Sequence, residues 1–263
     1  MRLKVLELPN LIPARLLKRY KRFLADLELP DGRVVTAHCP NPGRMSSIIP
    51  AAQTVYLTDL SGQPNPKRKL DYRWELALVE QTLVMVNTQL ANRVAARLLS
   101  DNQDLRSRLG IGPESEVIAE ASLPPRPGKK RTRFDFAVKQ PGGEHLYLEV
   151  KQISLRVDDP AAGIRWAAFP DAVTARGKRH LEELTRLRGE GVRTALLYIV
   201  GRDDVDRVRP AFEVDPEYSE AFQAAHKAGV EVLAARIAAT RTELRFDKWL
   251  PVEAGIPSRA NTT

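Results

Sequence analysis

Residues 131–151 read Arg131-Thr-Arg-Phe-Asp-Phe-Ala-Val-Lys-Gln-Pro-Gly-Gly-Glu-His-Leu-Tyr-Leu-Glu-Val-Lys151. Two alternating runs flank a turn at Pro141-Gly142-Gly143, which is the pattern of a β-hairpin. Phe134, Phe136 and Val138 share one face of the first run, and Leu146, Leu148 and Val150 share one face of the second. The other face carries Asp135 on one strand and Glu149 and Lys151 on its partner. If Lys139 pairs with His145 across the turn, Asp135 pairs with Glu149, and opposed Cβ atoms lie about 5 Å apart. Carboxylates held that close repel unless a divalent cation, a shared proton or a neighbouring positive charge intervenes.

Cutting a phosphodiester needs an activated water and a stabilised developing charge, and a divalent metal ion can supply both. Asp135, Glu149 and the carbonyl of Val150 could hold Mg2+ or Mn2+, with waters and a substrate phosphate completing the shell. Lys151 faces the same way as Glu149 and could orient or deprotonate the attacking water, or steady the phosphate. As a base at neutral pH, a lysine needs a lowered pKa. The catalytic candidates are therefore Asp135, Glu149 and Lys151. Glu116 and Glu120 lie on one face of a strand predicted over 116–123, and either could complete the metal shell. Arg176 and His180 stand one turn apart on a helix after the hairpin, placed to contact the scissile phosphate. An Asp…Glu-x-Lys pattern also arises in hairpins whose lysine merely pairs with an acid. The residues alone divide evenly between the two readings.

The bulk numbers fit a nucleic-acid partner. The chain has 263 residues, 43% of them hydrophobic, with a formal net charge of +8 and a sequence pI of about 9.7. Such a balance favours a polyanion, nucleic acid first and an anionic membrane surface second. The single cysteine, Cys39, excludes a disulfide framework and suits a reducing cytoplasm. No apolar run resembles a signal peptide or a membrane span, so a cytoplasmic, non-membrane protein is expected. The basic residues cluster: Arg15, Lys18, Arg19, Lys21 and Arg22; then Lys67, Arg68 and Lys69; then Lys129, Lys130 and Arg131 in a loop before the hairpin. Tyr20, Phe23, Tyr72 and Trp74 interleave the first two clusters. Cations for phosphates and flat rings for bases compose a platform that tolerates single strands, DNA or RNA, although any one ring is more often core.

Short alternating runs separated by turns predict an OB-like β-barrel over residues 1–86, with a first strand at 3–8 and a loop bracketed by Pro9 and Pro13. A helix capped by Thr88 then runs from about 89 to 99, and 105–113 is a connection. Beyond the hairpin, 157–169 reads as a loop, a helix runs from Pro170 to about Arg188, and 193–200 is a buried strand. A helix follows at 216–228, with strands at 230–235 and 243–246. Residues 87–252 thus form an α/β domain with a mixed sheet, and 253–263 are a disordered tail.

Several stretches together resemble the sugar fermentation stimulation protein A (SfsA) family. They are Leu17-Lys-Arg-Tyr-Lys-Arg-Phe-Leu-Ala-Asp26, His38-Cys-Pro-Asn-Pro-Gly-Arg-Met45, Val86-Asn-Thr-Gln-Leu-Ala-Asn92, Arg133-Phe-Asp-Phe136, Leu148-Glu-Val-Lys151 and the segment from Phe169 to Leu184. The resemblance implies an OB-like N-terminal domain, a C-terminal domain of the PD-(D/E)XK nuclease type, DNA binding, and a regulatory role in sugar, notably maltose, utilisation. Phe134 stands where such nucleases often carry a proline, Pro42 and Gln152 depart from the family's usual Thr and Ser, and the basic loop before Asp135 looks long. The resemblance does not by itself say whether the site cuts. The sequence leaves the preferred nucleic acid and the oligomeric state open, a homodimer included.

Overall fold

The computed structural model describes residues 3–50, 53–63, 65–123 and 131–255. Its first strand, β1 (Leu3–Glu7), does not join those that follow it. β2 (Leu11–Tyr20), β3 (Leu24–Glu28), β4 (Val34–His38), β5 (Thr54–Asp59), β6 (Tyr72–Val79) and β7 (Thr82–Met85) form one sheet in the order β4-β3-β2-β5-β6-β7. A parallel pairing of Ala37 with Tyr72 and His38 with Arg73 joins β4 to β6 and closes the barrel. Ala25, Leu27, Val55, Leu57 and Trp74 fill its interior, and the Trp74 indole donates to the Leu76 carbonyl at 2.9 Å. Pro13 lies within β2, not in a loop. It is exposed and opposes Tyr56, and a proline fits a strand where its missing N–H costs no ladder bond.

After the barrel come α1 (Gln89–Asp101), α2 (Gln103–Arg108), β8 (Glu116–Ala119), β9 (Phe136–Lys139), β10 (His145–Ile153), β11 (Leu155–Asp159), β12 (Ile164–Phe169), α3 (Ala175–Gly189), β13 (Arg193–Val200), β14 (Arg207–Pro210), α4 (Pro216–Lys227), β15 (Glu231–Ala239) and β16 (Glu243–Trp249). A seven-stranded mixed sheet runs β1-β16-β15-β13-β10-β9-β8. β1 pairs antiparallel with β16, so the chain's first strand belongs to the second domain and not to the barrel. Successive residues of β13 enter opposite cores. Ala195, Leu197 and Ile199 pack with Leu90, Val94 and Leu98 of α1, while Leu196, Tyr198 and Val200 pack with Leu181 and Leu184 of α3 and Phe222 of α4. A strand covered on both faces has no polar side, which is why 193–200 reads as an unbroken apolar run.

Two segments expected to lack regular structure have it. Residues 103–108 form α2, whose cap is the Asn102 side chain accepting from Leu105 N. Most of 157–169 lies in β11 and β12, an antiparallel pair extended by β14 into a small second sheet. α3 begins at Ala175, with the Thr174 hydroxyl as its cap, a turn later than Pro170 suggested. Thr88 starts α1 without capping it, because its hydroxyl donates to the Pro40 carbonyl instead. No helix among the described residues is long and apolar enough to cross a membrane.

Candidate metal and nucleic-acid site

The hairpin forms in the register that its turn dictates. His145 pairs with Lys139 and Leu148 with Phe136, which carries Asp135, one residue before β9, to the level of Glu149. The Asp135 carboxylate accepts from Val150 N at 2.8 Å and from Asn92 Nδ2, on α1, at 2.8 Å. Glu149 is only 3% exposed. Its Oε1 is held by both Lys151 Nζ and His180 Nδ1. Arg176 Nε points to the other His180 ring nitrogen at 3.5 Å, which leaves Nδ1 as the donor to Glu149. Burial, then the adjacent Glu149 charge, push the Asp135 carboxyl above its ordinary value. Burial also acts to raise Glu149, but the His180 hydrogen bond and the Lys151 charge outweigh it and hold that carboxyl below its ordinary value.

One atom is left over. Glu149 Oε2 is buried and has no hydrogen-bond partner. Leaving a buried acceptor unsatisfied costs about 1–3 kcal/mol, and more when it is charged. A cation beside Oε2 and Asp135 would remove that cost and the repulsion together, so the donor set fits a divalent metal. Among the described residues no group of three or more His, Cys, Asp or Glu could hold a metal ion. The other ligands would have to be a backbone carbonyl, waters and a substrate phosphate, as is usual for Mg2+.

The structure does not bring the third acid expected from the sequence. Glu116 is exposed opposite Lys139, at the far end of β8. Glu120 comes next to Asp135 in backbone pairing, yet its side chain is exposed and salt-bridged to Arg133 at 2.9 Å. It sits at φ 53°, past the end of β8, so the strand alternation that put it on the site face has already broken. His180 is also not a phosphate contact. It is buried, and it positions Glu149. Arg176 is exposed and lines the cleft described below.

The basic residues sort by what they already hold. Arg15 pairs with Glu28, Arg19 donates to the Asn41 and Gly43 carbonyls, and Arg68 donates to the Leu60 and Gln63 carbonyls. Those guanidiniums hold strands and loops in place. Lys18 lies 5.4 Å from the Tyr20 ring centre. Lys21, Arg22, Lys67, Lys69 and Arg131 are exposed. Lys129 and Lys130 lie outside the described residues.

A cleft of about 780 Å³ runs between the barrel and the α/β domain. Its barrel wall carries Arg19, Arg22 and Arg44, and its other wall carries Asn92, Lys151, Gln152 and Arg176. The floor therefore reaches the residues that touch both acids. Gly43 and Asp171 pin the walls together. Asp171 Oδ2 accepts from Met45 N at 3.1 Å, and a Cβ on Gly43 would stand 2.1 Å from that same oxygen. Burial raises the Asp171 carboxyl above its ordinary value. Asn92 and Arg44 were not singled out as site residues from the sequence. Both lie in short motifs of polar and small residues, but 43 residues separate Asn92 from Asp135, and only folding joins them.

A family model described as "Sugar fermentation stimulation protein RE domain" matches residues 89–243, and one described as "SfsA N-terminal OB domain" matches residues 17–86. The chain belongs to the sugar fermentation stimulation protein family. A sugar fermentation stimulation protein homolog of Pseudomonas savastanoi pv. phaseolicola is 42% identical over 245 residues, covering 93% of this chain and 97% of that one. A homolog of Alteromonas mediterranea is 38% identical over 249 residues, with 93% and 98% covered. The structure of Pyrococcus furiosus SfsA in complex with Ca2+ superposes with a TM-score of 0.79 at 24% identity, covering 95% of this chain and 99% of that one. That likeness establishes the shared fold: the family's OB domain followed by an α/β domain built on a mixed sheet.

Proposed function

We propose that this member of the family binds DNA in the cleft between its two domains, and that Asp135 and Glu149, with Mg2+ or Mn2+, make the cleft floor a phosphodiester-cleaving site. The observation that carries this reading is the unpartnered Glu149 Oε2 near Asp135, behind Asn92 and Lys151, which touch the two acids and line a cleft that carries arginines on both walls. Arg22 and Arg44 are exposed on one wall and Arg176 on the other, which suits a phosphate chain running between them. Asp135 and Glu149 would hold the cation, which when bound supplies Lewis-acid polarisation and a more acidic water. Asn92 and the Val150 amide fix Asp135, and His180 fixes Glu149, so the acids keep their geometry as the substrate arrives. The Lys151 ammonium sits between Glu149 and the cleft, where it can donate to a phosphate oxygen. That the Pyrococcus furiosus relative was solved in complex with Ca2+ supports a divalent cation on this fold.

One observation favours binding without cleavage: Lys151 and His180 already compensate Glu149, so the acid is tolerated without metal. The regulatory role in sugar utilisation that the family resemblance implies would then act through binding alone. Anisotropy titrations of labelled DNA in EDTA test the shared step. Affinity should fall steeply with salt, and Arg44→Ala should weaken it. Salt-insensitive or undetectable DNA binding would remove the proposal.

A further inference from the structure

The barrel carries a second, smaller basic pocket of about 410 Å³, lined by His38, Lys69, Tyr72 and Gln89 among others. Beside His38 at this pocket stands Phe23. This ring is 44% exposed, the one aromatic among the exposed large apolar side chains of the described residues. It packs beside His38, with ring centres 6.4 Å apart at 34°. Its chain neighbour Arg22 lines the cleft, while its ring partner His38 lines the pocket. Lys21 and Arg22 have φ of 49° and 64°, a tight turn that ends β2 just before Phe23. Burial, then the Arg73 charge, pull the His38 ring below its ordinary value, so it stays uncharged at neutral pH.

A duplex presents phosphates outward and keeps its base faces stacked on one another. An exposed ring beside a pocket finds no free base face to stack on in such a molecule. An unpaired strand offers phosphates to arginines and base faces to rings at the same time. We propose that the substrate is a single nucleic-acid strand, or the single-stranded end of a longer molecule. Its phosphates follow Arg176, Arg44 and Arg22 along the cleft, one base stacks on Phe23 and His38, and the next enters the Tyr72 pocket. The inference rests on the reading that the cleft binds nucleic acid and adds the strandedness of the ligand.

The test is anisotropy on the full-length protein in EDTA, with a labelled 12-nucleotide strand and its blunt duplex at one salt concentration. The single strand should bind at least tenfold more tightly than the duplex. Phe23→Ala, at an exposed turn position, should cost the strand about tenfold in affinity and narrow that preference. Lys69→Ala should weaken strand binding too, which checks the path with an exposed pocket-lining residue. An RNA strand bound as tightly as the DNA strand also supports the inference. Equal or tighter duplex binding, or an unchanged strand affinity in Phe23→Ala, overturns it. Absence of binding to either form instead removes the proposed function.

Discussion

Mg2+ or Mn2+ should stabilise this protein through the acid pair, by an amount the site itself sets. The buried, unpartnered Glu149 Oε2 and the raised Asp135 carboxyl are both costs that a divalent cation relieves. At a metal concentration 100 times Kd, binding to the folded state alone adds about 2.7 kcal/mol. For a chain of this size that raises Tm by roughly 5–10 °C. Asp135→Asn keeps the side chain's shape. Its carbonyl can still accept from Val150 N, and the Asn92 amide can turn to accept from its new N–H. It loses the ligand charge, so Kd should rise about 100-fold, and the same metal concentration then adds only about 0.4 kcal/mol, roughly 1 °C. Differential scanning fluorimetry at matched ionic strength, with NaCl as the control, measures both shifts. An equal shift in Asp135→Asn, or none in the wild type, would refute the reasoning.

Three further outcomes follow from the same geometry. Without metal, Asp135→Asn should exceed the wild type in stability by a margin that grows with pH: below the ordinary carboxylate value Asp135 is protonated folded and unfolded, and above its raised folded value the full cost of the buried charge is present. Urea melts from pH 3 to 7 would show the margin opening, and a margin that shrinks as pH rises contradicts the assignment. Gly43→Ala should cost about 1–3 kcal/mol, because its Cβ would stand 2.1 Å from Asp171 Oδ2, and adding Asp171→Ala in the same chain should recover part of the urea midpoint. Replacing Arg22 and Arg44 together should flatten the log–log salt dependence of binding by about 0.7 per lost single-strand phosphate contact, or about 0.9 for duplex, whereas an unchanged slope places the strand elsewhere.

How far the sequence carried depends on the range of each interaction. The hairpin was legible because a Pro-Gly-Gly turn and two alternating runs leave one register that buries both apolar faces. β13 was legible because a strand covered on both sides must be apolar throughout. β1 was not, since five residues of strand pattern do not say which sheet edge they will meet, and its partner lies at the other end of the chain. The site divides in the same way. Asp135, Glu149 and Lys151 come from one local motif and meet as their spacing implies. Asn92 and His180 reach them from separate helices, so their roles appear only in three dimensions. Glu120 failed because strand alternation was carried past the point where the backbone leaves the strand. Arg19 and Arg68 count as binding charge in the sequence, but folding turns them inward onto loop carbonyls.

The most direct measurement is the single-turnover rate at which the full-length protein, with excess Mn2+, cuts labelled single-stranded and duplex DNA. The site described here predicts metal-dependent cleavage that Asp135→Ala slows at least 100-fold, about 2.7 kcal/mol of lost transition-state stabilisation, while DNA affinity in EDTA is retained. Cleavage that persists unchanged in Asp135→Ala, or DNA left intact by a wild type that binds both metal and strand, would contradict it.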